Sequence, residues 1–160
     1  METDEIVTYG DNVLRTRAQE VAEFDDETRA LIERMFDIMA ANRGLGLAAP
    51  QIGISKRVFV YDVGEGRHAL VNPRLTKTSG EIIGVEGCLS IPGLQGQVPR
   101  YERVTVTGIN EEGKKVKIKA EGLLARVFQH EMDHLDGMLF VDRADPDTLE
   151  IVTAEETDQS

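Results

Sequence analysis

His130 and His134 stand four residues apart, with Glu131 beside the first, in a stretch whose composition favours a helix. From Glu121 to Leu135 there is no proline, and the only glycine, Gly122, comes at the start. Leu123, Leu124, Val127 and Phe128 recur at helical spacing, and Gly137 follows where a helix stops. At 3.6 residues per turn both imidazoles fall on one face and can share a metal ion. Glu131 points to the side, where it reaches a water on that ion without ligating it. This is the minimum equipment for metal-assisted hydrolysis.

Two imidazoles leave a catalytic ion short of a ligand, because such sites usually take three and keep one position open. Extended metal motifs place a third histidine after Gly137, but Phe140 stands there and cannot ligate. Glu150, Glu155 and Glu156 lie in a short acidic closing stretch with little apolar pattern to fix them. His68 precedes Ala69-Leu70-Val71 and reads as a surface residue at a strand end. Cys88 remains, the one cysteine, within Glu86-Gly87-Cys88-Leu89-Ser90. Gly87 permits close backbone approach, and Ile91-Pro92-Gly93 reads as a turn just beyond. A thiolate with two imidazoles makes a Cys-His-His site with an open fourth position. Such donors suit zinc, iron, cobalt or nickel, and spacing does not choose among them.

Three separated segments resemble the signature motifs of peptide deformylases: Gly44-Leu45-Gly46-Leu47-Ala48-Ala49-Pro50-Gln51, Glu86-Gly87-Cys88-Leu89-Ser90 and Gln129-His130-Glu131-Met132-Asp133-His134-Leu135. They occur in the family's order and at similar separations, and the similarity runs to about Val141. The resemblance implies a metallohydrolase that removes the N-terminal formyl group from formyl-methionine of nascent polypeptides, releasing formate. It implies one divalent ion per chain on Cys88, His130 and His134, with Fe2+ native and Zn2+, Ni2+ or Co2+ as substitutes. Glu131 becomes the catalytic acid–base. The Gln51 amide and the Leu89 backbone N–H become donors to the oxyanion. Gly46 and Gly87 admit the substrate backbone, while Leu45, Glu86, Leu123 and Val127, with the ring of His130, wall a pocket for the methionine side chain. Arg126 edges that pocket through its methylene stem or reaches solvent. A general zinc peptidase and a closed, non-catalytic metal site are the competing readings of the helix motif.

The rest of the chain sets the frame. Its 160 residues, 41% hydrophobic and without tryptophan, suit one domain with an aliphatic core. No apolar run is long enough to cross a bilayer, and the acidic start Met1-Glu2-Thr3-Asp4-Glu5 lacks the form of a secretory signal. One cysteine allows no internal disulfide, which fits the reducing cytoplasm. The net charge of −11 argues against a direct nucleic-acid site, since phosphate binding needs basic residues.

Asp25 to Asn42 predicts an amphipathic helix with the stripe Leu31, Met35, Ile38 and Met39, acidic residues in its first turn and Gly44 at its end. Residues 57–62 and 69–72 predict strands, and residues 103–109 and 114–119 a hairpin with a lysine-bearing, solvated face. Met138 to Val141 predicts a last short strand. The Gly44-Leu45-Gly46 run lacks the lysine and serine of a phosphate loop and reads as strand. These elements give an α+β fold: a small single domain of short, mostly antiparallel strands packed around a central metal-binding helix. Residues 1–143 form the catalytic domain, and 144–160 an acidic tail without lysine or arginine. A short helix is expected at Asp147 to Val152, with disorder beyond it. That tail cannot dock on ribosomal RNA as a basic tail would. Ribosome contact, if made, comes from elsewhere on the chain or is transient.

Overall fold

The structure, a computed structural model, describes residues 6–152. Helix α1 spans Asp26–Ala41 and helix α2 spans Gly122–Leu135. The strands are β1 (Gly46–Ala48), β2 (Val58–Tyr61), β3 (His68–Ser79), β4 (Ile82–Cys88), β5 (Ile91–Arg100), β6 (Arg103–Ile109), β7 (Lys115–Glu121) and β8 (Glu150–Ile151). They form a five-stranded sheet in the order β1-β2-β3-β6-β7 and a three-stranded sheet in the order β4-β5-β8, with antiparallel pairing throughout. The α+β class with a central helix is what the sequence predicts.

Strand β2 explains why α2 is central. Its four residues, Val-Phe-Val-Tyr, are all buried. Alternation sends Val58 and Val60 to α1 and Phe59 and Tyr61 to α2. Phe128 of α2 meets Phe59 at 5.7 Å and Tyr61 edge-on at 4.9 Å between ring centroids. At the far end of α2, the buried guanidinium of Arg57 donates to the Leu135 carbonyl at 2.9 Å and to Asp136 at 2.9 Å. This satisfies a terminal carbonyl and sets positive charge at the negative end of the helix. Gly137 then stops the helix with φ 78°; a Cβ there would lie 2.8 Å from the Arg15 carbonyl oxygen.

Helix α1 carries the predicted stripe, all of it buried, and Asp25 caps it by accepting from the Thr28 backbone N–H at 3.0 Å. Its C-terminus differs from expectation. Arg43, at φ 57°, takes the left-handed position, not Gly44. Gly44 instead lets the chain pack closely: a Cβ there would sit 3.2 Å from Leu89 Cδ1.

Three sequence expectations need correction. Ile91-Pro92-Gly93 is no turn but the start of β5, and the chain reverses one step earlier, at Leu89-Ser90. Prolines and glycines within β5 conceal a ten-residue strand. Met138 to Val141 is not a strand; Phe140–Asp142 forms a 3-10 turn that buries Phe140. Residues 147–152 hold no helix. A 3-10 turn at Pro146–Thr148 leads into β8, which pairs with β5 through Leu94 and Gln95. Gly96 makes room there, since a Cβ would lie 2.6 Å from Leu149. The disorder expected beyond residue 152 falls outside the described residues. Among the described residues no helix is long and apolar enough to cross a membrane.

Candidate active site

His130, Glu131 and His134 are buried on helix α2: the two histidines meet Glu86 and Cys88 of β4, and Glu131 lies against Gly46 of β1. Cys88 ends β4, just past a register shift after Gly87 that re-aims the strand. Its sulfur is sealed from behind by Leu14, Ile91, Val98, Leu139 and Phe140. One ligand atom each from Cys88, His130 and His134 lies within 4.8 Å of the others, and Cys88 Sγ is 3.3 Å from His134 Nε2. Of the candidate third ligands, the fold brings Cys88 to the pair. His68 is instead exposed at the start of β3, 2.9 Å from Glu111, and Glu150 lies exposed on β8. Glu155 and Glu156 are outside the described residues.

The donor set fits a divalent cation. His130 Nδ1 lies 2.9 Å from Glu86 Oε1. An ionised carboxylate only accepts, so Nδ1 carries the hydrogen and Nε2 keeps its lone pair for the site. That Nε2 is buried without a hydrogen-bond partner among the described residues, as expected of a ligand atom. Burial opposes protonation of His130, yet Cys88, Glu86 and Glu131 together hold its pKa well above the usual value. His134 goes the other way: burial, then the charges on His130 and Arg100, hold its pKa well below the usual value, so the ring stays neutral and able to ligate.

Glu86, expected only as pocket wall, has a second place. It accepts from Arg100 Nε and Nη2, both at 2.8 Å, and from Arg126 Nη1. Burial would raise its pKa, but the Arg100 and His130 hydrogen bonds hold it far below the carboxylate range. Arg100 reaches on to Asp133 at 2.6 Å, and Asp133 accepts from Arg143 at 2.7 and 3.0 Å. Sequence reading missed Arg100, Asp133 and Arg143. Their only signal was charge in segments that must be buried. Arg126 edges the pocket, and its guanidinium is not free in solvent, since it also donates to the Val98 and Ile82 carbonyls at 3.1 Å.

Gln51 sits in a 3-10 turn, Ala49–Ile52, with its side chain fully buried. Its Oε1 accepts from the Ala48 N–H at 3.0 Å, closing the turn. Its Nε2 faces Ser90 Oγ at 3.2 Å and Cys88 Sγ at 3.6 Å. One amide thus caps a turn and presents donors at the site. Leu89 follows Cys88 in the two-residue turn. Gly46, in β1, faces Glu131: a Cβ there would lie 2.7 Å from Glu131 Oε2. Leu45, Glu86, Gly87, Leu123, Arg126, Val127 and His130 line one narrow cleft of about 20 Å³. Leu123 stands at its rim, 52% exposed.

The model of the polypeptide deformylase family matches residues 3–150. The peptide deformylase of Carboxydothermus hydrogenoformans is 53% identical over 140 residues, covering 88% of this chain and 92% of that one. The peptide deformylase of Halothermothrix orenii is 51% identical over 141 residues, covering 87% and 92%. Among solved structures, the peptide deformylase from Thermotoga maritima superposes with a TM-score of 0.86 at 46% identity, covering 88% of this chain and 97% of that one. The peptide deformylase from Synechococcus elongatus in complex with actinonin gives 0.85 at 45% identity, covering 88% and 78%.

Proposed function

Because the chain belongs to the polypeptide deformylase family, we propose that Cys88, His130 and His134 hold its single divalent cation and that Glu131 moves the proton in the reaction. The chain is a hydrolase that removes N-terminal formyl groups, freeing formate and an amine. The observation that carries the assignment of residues is the meeting of a β-strand sulfur with both imidazoles of α2 beside one buried carboxylate.

When bound, the cation supplies Lewis acidity that brings a water's pKa toward neutrality. Glu131 takes the proton from the attacking water and passes it to the amine nitrogen as the carbon–nitrogen bond breaks. The oxygen of the formyl group gains negative charge on attack. The Gln51 amide and the Leu89 backbone N–H donate to it, each contributing about 3 kcal/mol when well aimed. The backbone of the formyl-methionyl substrate runs between Gly46 and Gly87, as an added strand. Its side chain enters beside Leu45, Glu86, Leu123, Val127 and His130. Glu86 orients His130 and raises its basicity as a ligand, a partner role that metal-bound histidines commonly need.

The native ion in this reading is Fe2+, with Zn2+, Ni2+ and Co2+ able to replace it. The catalytic unit is residues 1–143, with 144–160 an acidic closing stretch, and the enzyme works in the cytoplasm on nascent chains near the ribosome. The test is anaerobic metal analysis with a formate-release assay on wild type and Cys88→Ala. Expected are one metal per chain and formate from a formyl-Met peptide, with none from its acetylated or internal-peptide analogues, and loss of both metal and activity in the variant. A Cys88→Ala protein that still binds one metal would remove the sulfur from the site.

A further inference from the structure

The chain has six lysines, and five of them lie in β3 or at the start and along β7. Strand β7 alternates: Val116 and Ile118 pack inward on the core that holds α2, while Lys115, Lys117 and Lys119 are exposed on the opposite face. Register extends the face across the sheet. Lys119 lies opposite Thr105, and Thr105 opposite Lys77; Lys117 lies opposite Thr107, and Thr107 opposite Arg74; Arg103 lies opposite Glu121 and Ser79. Six cations thus share one side of three strands. Glu121 stands on the same face, and Glu20 and Glu102 at its rim partly balance Arg74 and Arg103 through exposed ion pairs. Among the described residues, Lys77, Lys115, Lys117 and Lys119 make no ion pair. In a chain of net charge −11 this concentration of one sign is local and set by the fold.

Strand β7 is a sheet edge, and lysines there can serve only to deter edge pairing. That explanation does not reach Arg74 and Lys77, which sit in β3 with β6 between them and the edge. Two shallow depressions cross the face, one of about 570 Å³ along Lys77, Arg103 and Lys119, the other of about 460 Å³ along Arg74, Lys115 and Lys117. The outward residues include no aromatic to stack on a base, and the one large aliphatic beside them, Ile109, is half-buried against the α1 core and so offers no wedge to a lipid surface. Along β7 the lysines recur about every 6.7 Å, a row of mobile point charges suited to a phosphate track.

We propose that this outer sheet face binds the backbone of helical RNA without reading its sequence. The expectation of no nucleic-acid site rested on total charge, whereas phosphates respond to the nearest charges within a Debye length. The acidic remainder of the surface repels the same partner and so fixes the orientation of binding. The catalytic helix packs on the other side of the sheet, and the cleft stays open while the face is engaged.

The test is fluorescence anisotropy of the metal-loaded enzyme with a labelled RNA hairpin, over a salt series starting at about 50 mM. Wild type should bind, with a slope of log affinity against log salt of about −1 for each lysine engaged. The triple variant Lys115→Glu, Lys117→Glu, Lys119→Glu should lose about tenfold or more in affinity and flatten the slope. It should keep its melting temperature and its formate release from a free formyl-Met peptide. Lys56→Ala, which alters the one lysine off this region, should change neither. The proposal falls if wild type shows no salt-dependent binding, or if the triple variant binds the hairpin as wild type does. It falls equally if phosphatidylserine vesicles are bound and the RNA is not.

Discussion

At the residue scale the proposed roles rest on a few buried groups brought close together. Glu131 is fully buried, and it is not part of the Cys88, His130 and His134 group proposed to hold the metal. Glu131→Ala should therefore retain the metal and lose about a thousandfold in kcat, within the range for general acid–base catalysis. Metal content and formate release measured on the same sample check this, and substantial remaining turnover would exclude Glu131 as the proton carrier. Gly46 has no side chain because the Glu131 carboxylate occupies that space. Gly46→Ala should keep the fold and the metal, displace the carboxylate, and lower kcat by about a hundredfold. If the loss appears only in KM, the glycine serves substrate approach alone.

At the element scale, the site is where β4, β5 and α2 are tied together. Glu86 from β4, Arg100 from β5 and Asp133 from α2 form one buried chain of charge that ends on His130. Cutting such a chain leaves a charge without its partner, which costs more than the pair contributed. Glu86→Gln keeps the shape and removes the charge, so metal affinity should fall about 10- to 100-fold while β4 stays in place. Chelator competition against wild type measures it.

Helix α1 gives a separate test through its cap. The Thr28 backbone and hydroxyl hydrogen bonds lower the Asp25 pKa from its ordinary 3.8. A carboxyl whose pKa is lower folded than unfolded adds stability above its ordinary value and loses it as pH falls through the folded one. Asp25→Ala should therefore melt below wild type at pH 7, with the gap closing as the pH is taken below 3.8. A gap independent of pH would mean that the charge of the cap contributes nothing.

At the scale of the whole molecule, the fold buries Cys88, His130 and His134 together and sets His130 on the wall of a narrow cleft. An iron–thiolate centre reached by dissolved oxygen exposes Cys88 to stepwise oxidation. The iron-loaded enzyme should lose activity in air faster than the nickel-loaded enzyme, with oxidised Cys88 detected by mass spectrometry. Equal decay of the two forms would count against iron-centred damage.

How much of this was legible in the sequence depends on the distance over which each cause acts. Periodicity and capping are local, so residues alone determined both helices, the buried stripe of α1, the strands at 57–62 and 103–119, and the histidine pair with its neighbouring glutamate. Local cues fail at β5, where Pro92 and Gly93 sit inside a strand and suggest a turn, and at β8, where a helix is expected, because what holds both strands is pairing with residues distant in the chain. The tertiary structure alone decided that Arg100, Asp133 and Arg143 stand behind Glu86, and that scattered cations gather on one sheet face within an acidic chain. Those outcomes depend on register and on which faces are buried together. Side-chain charge and desolvation act through space, and only the folded chain sets the distances at which they act.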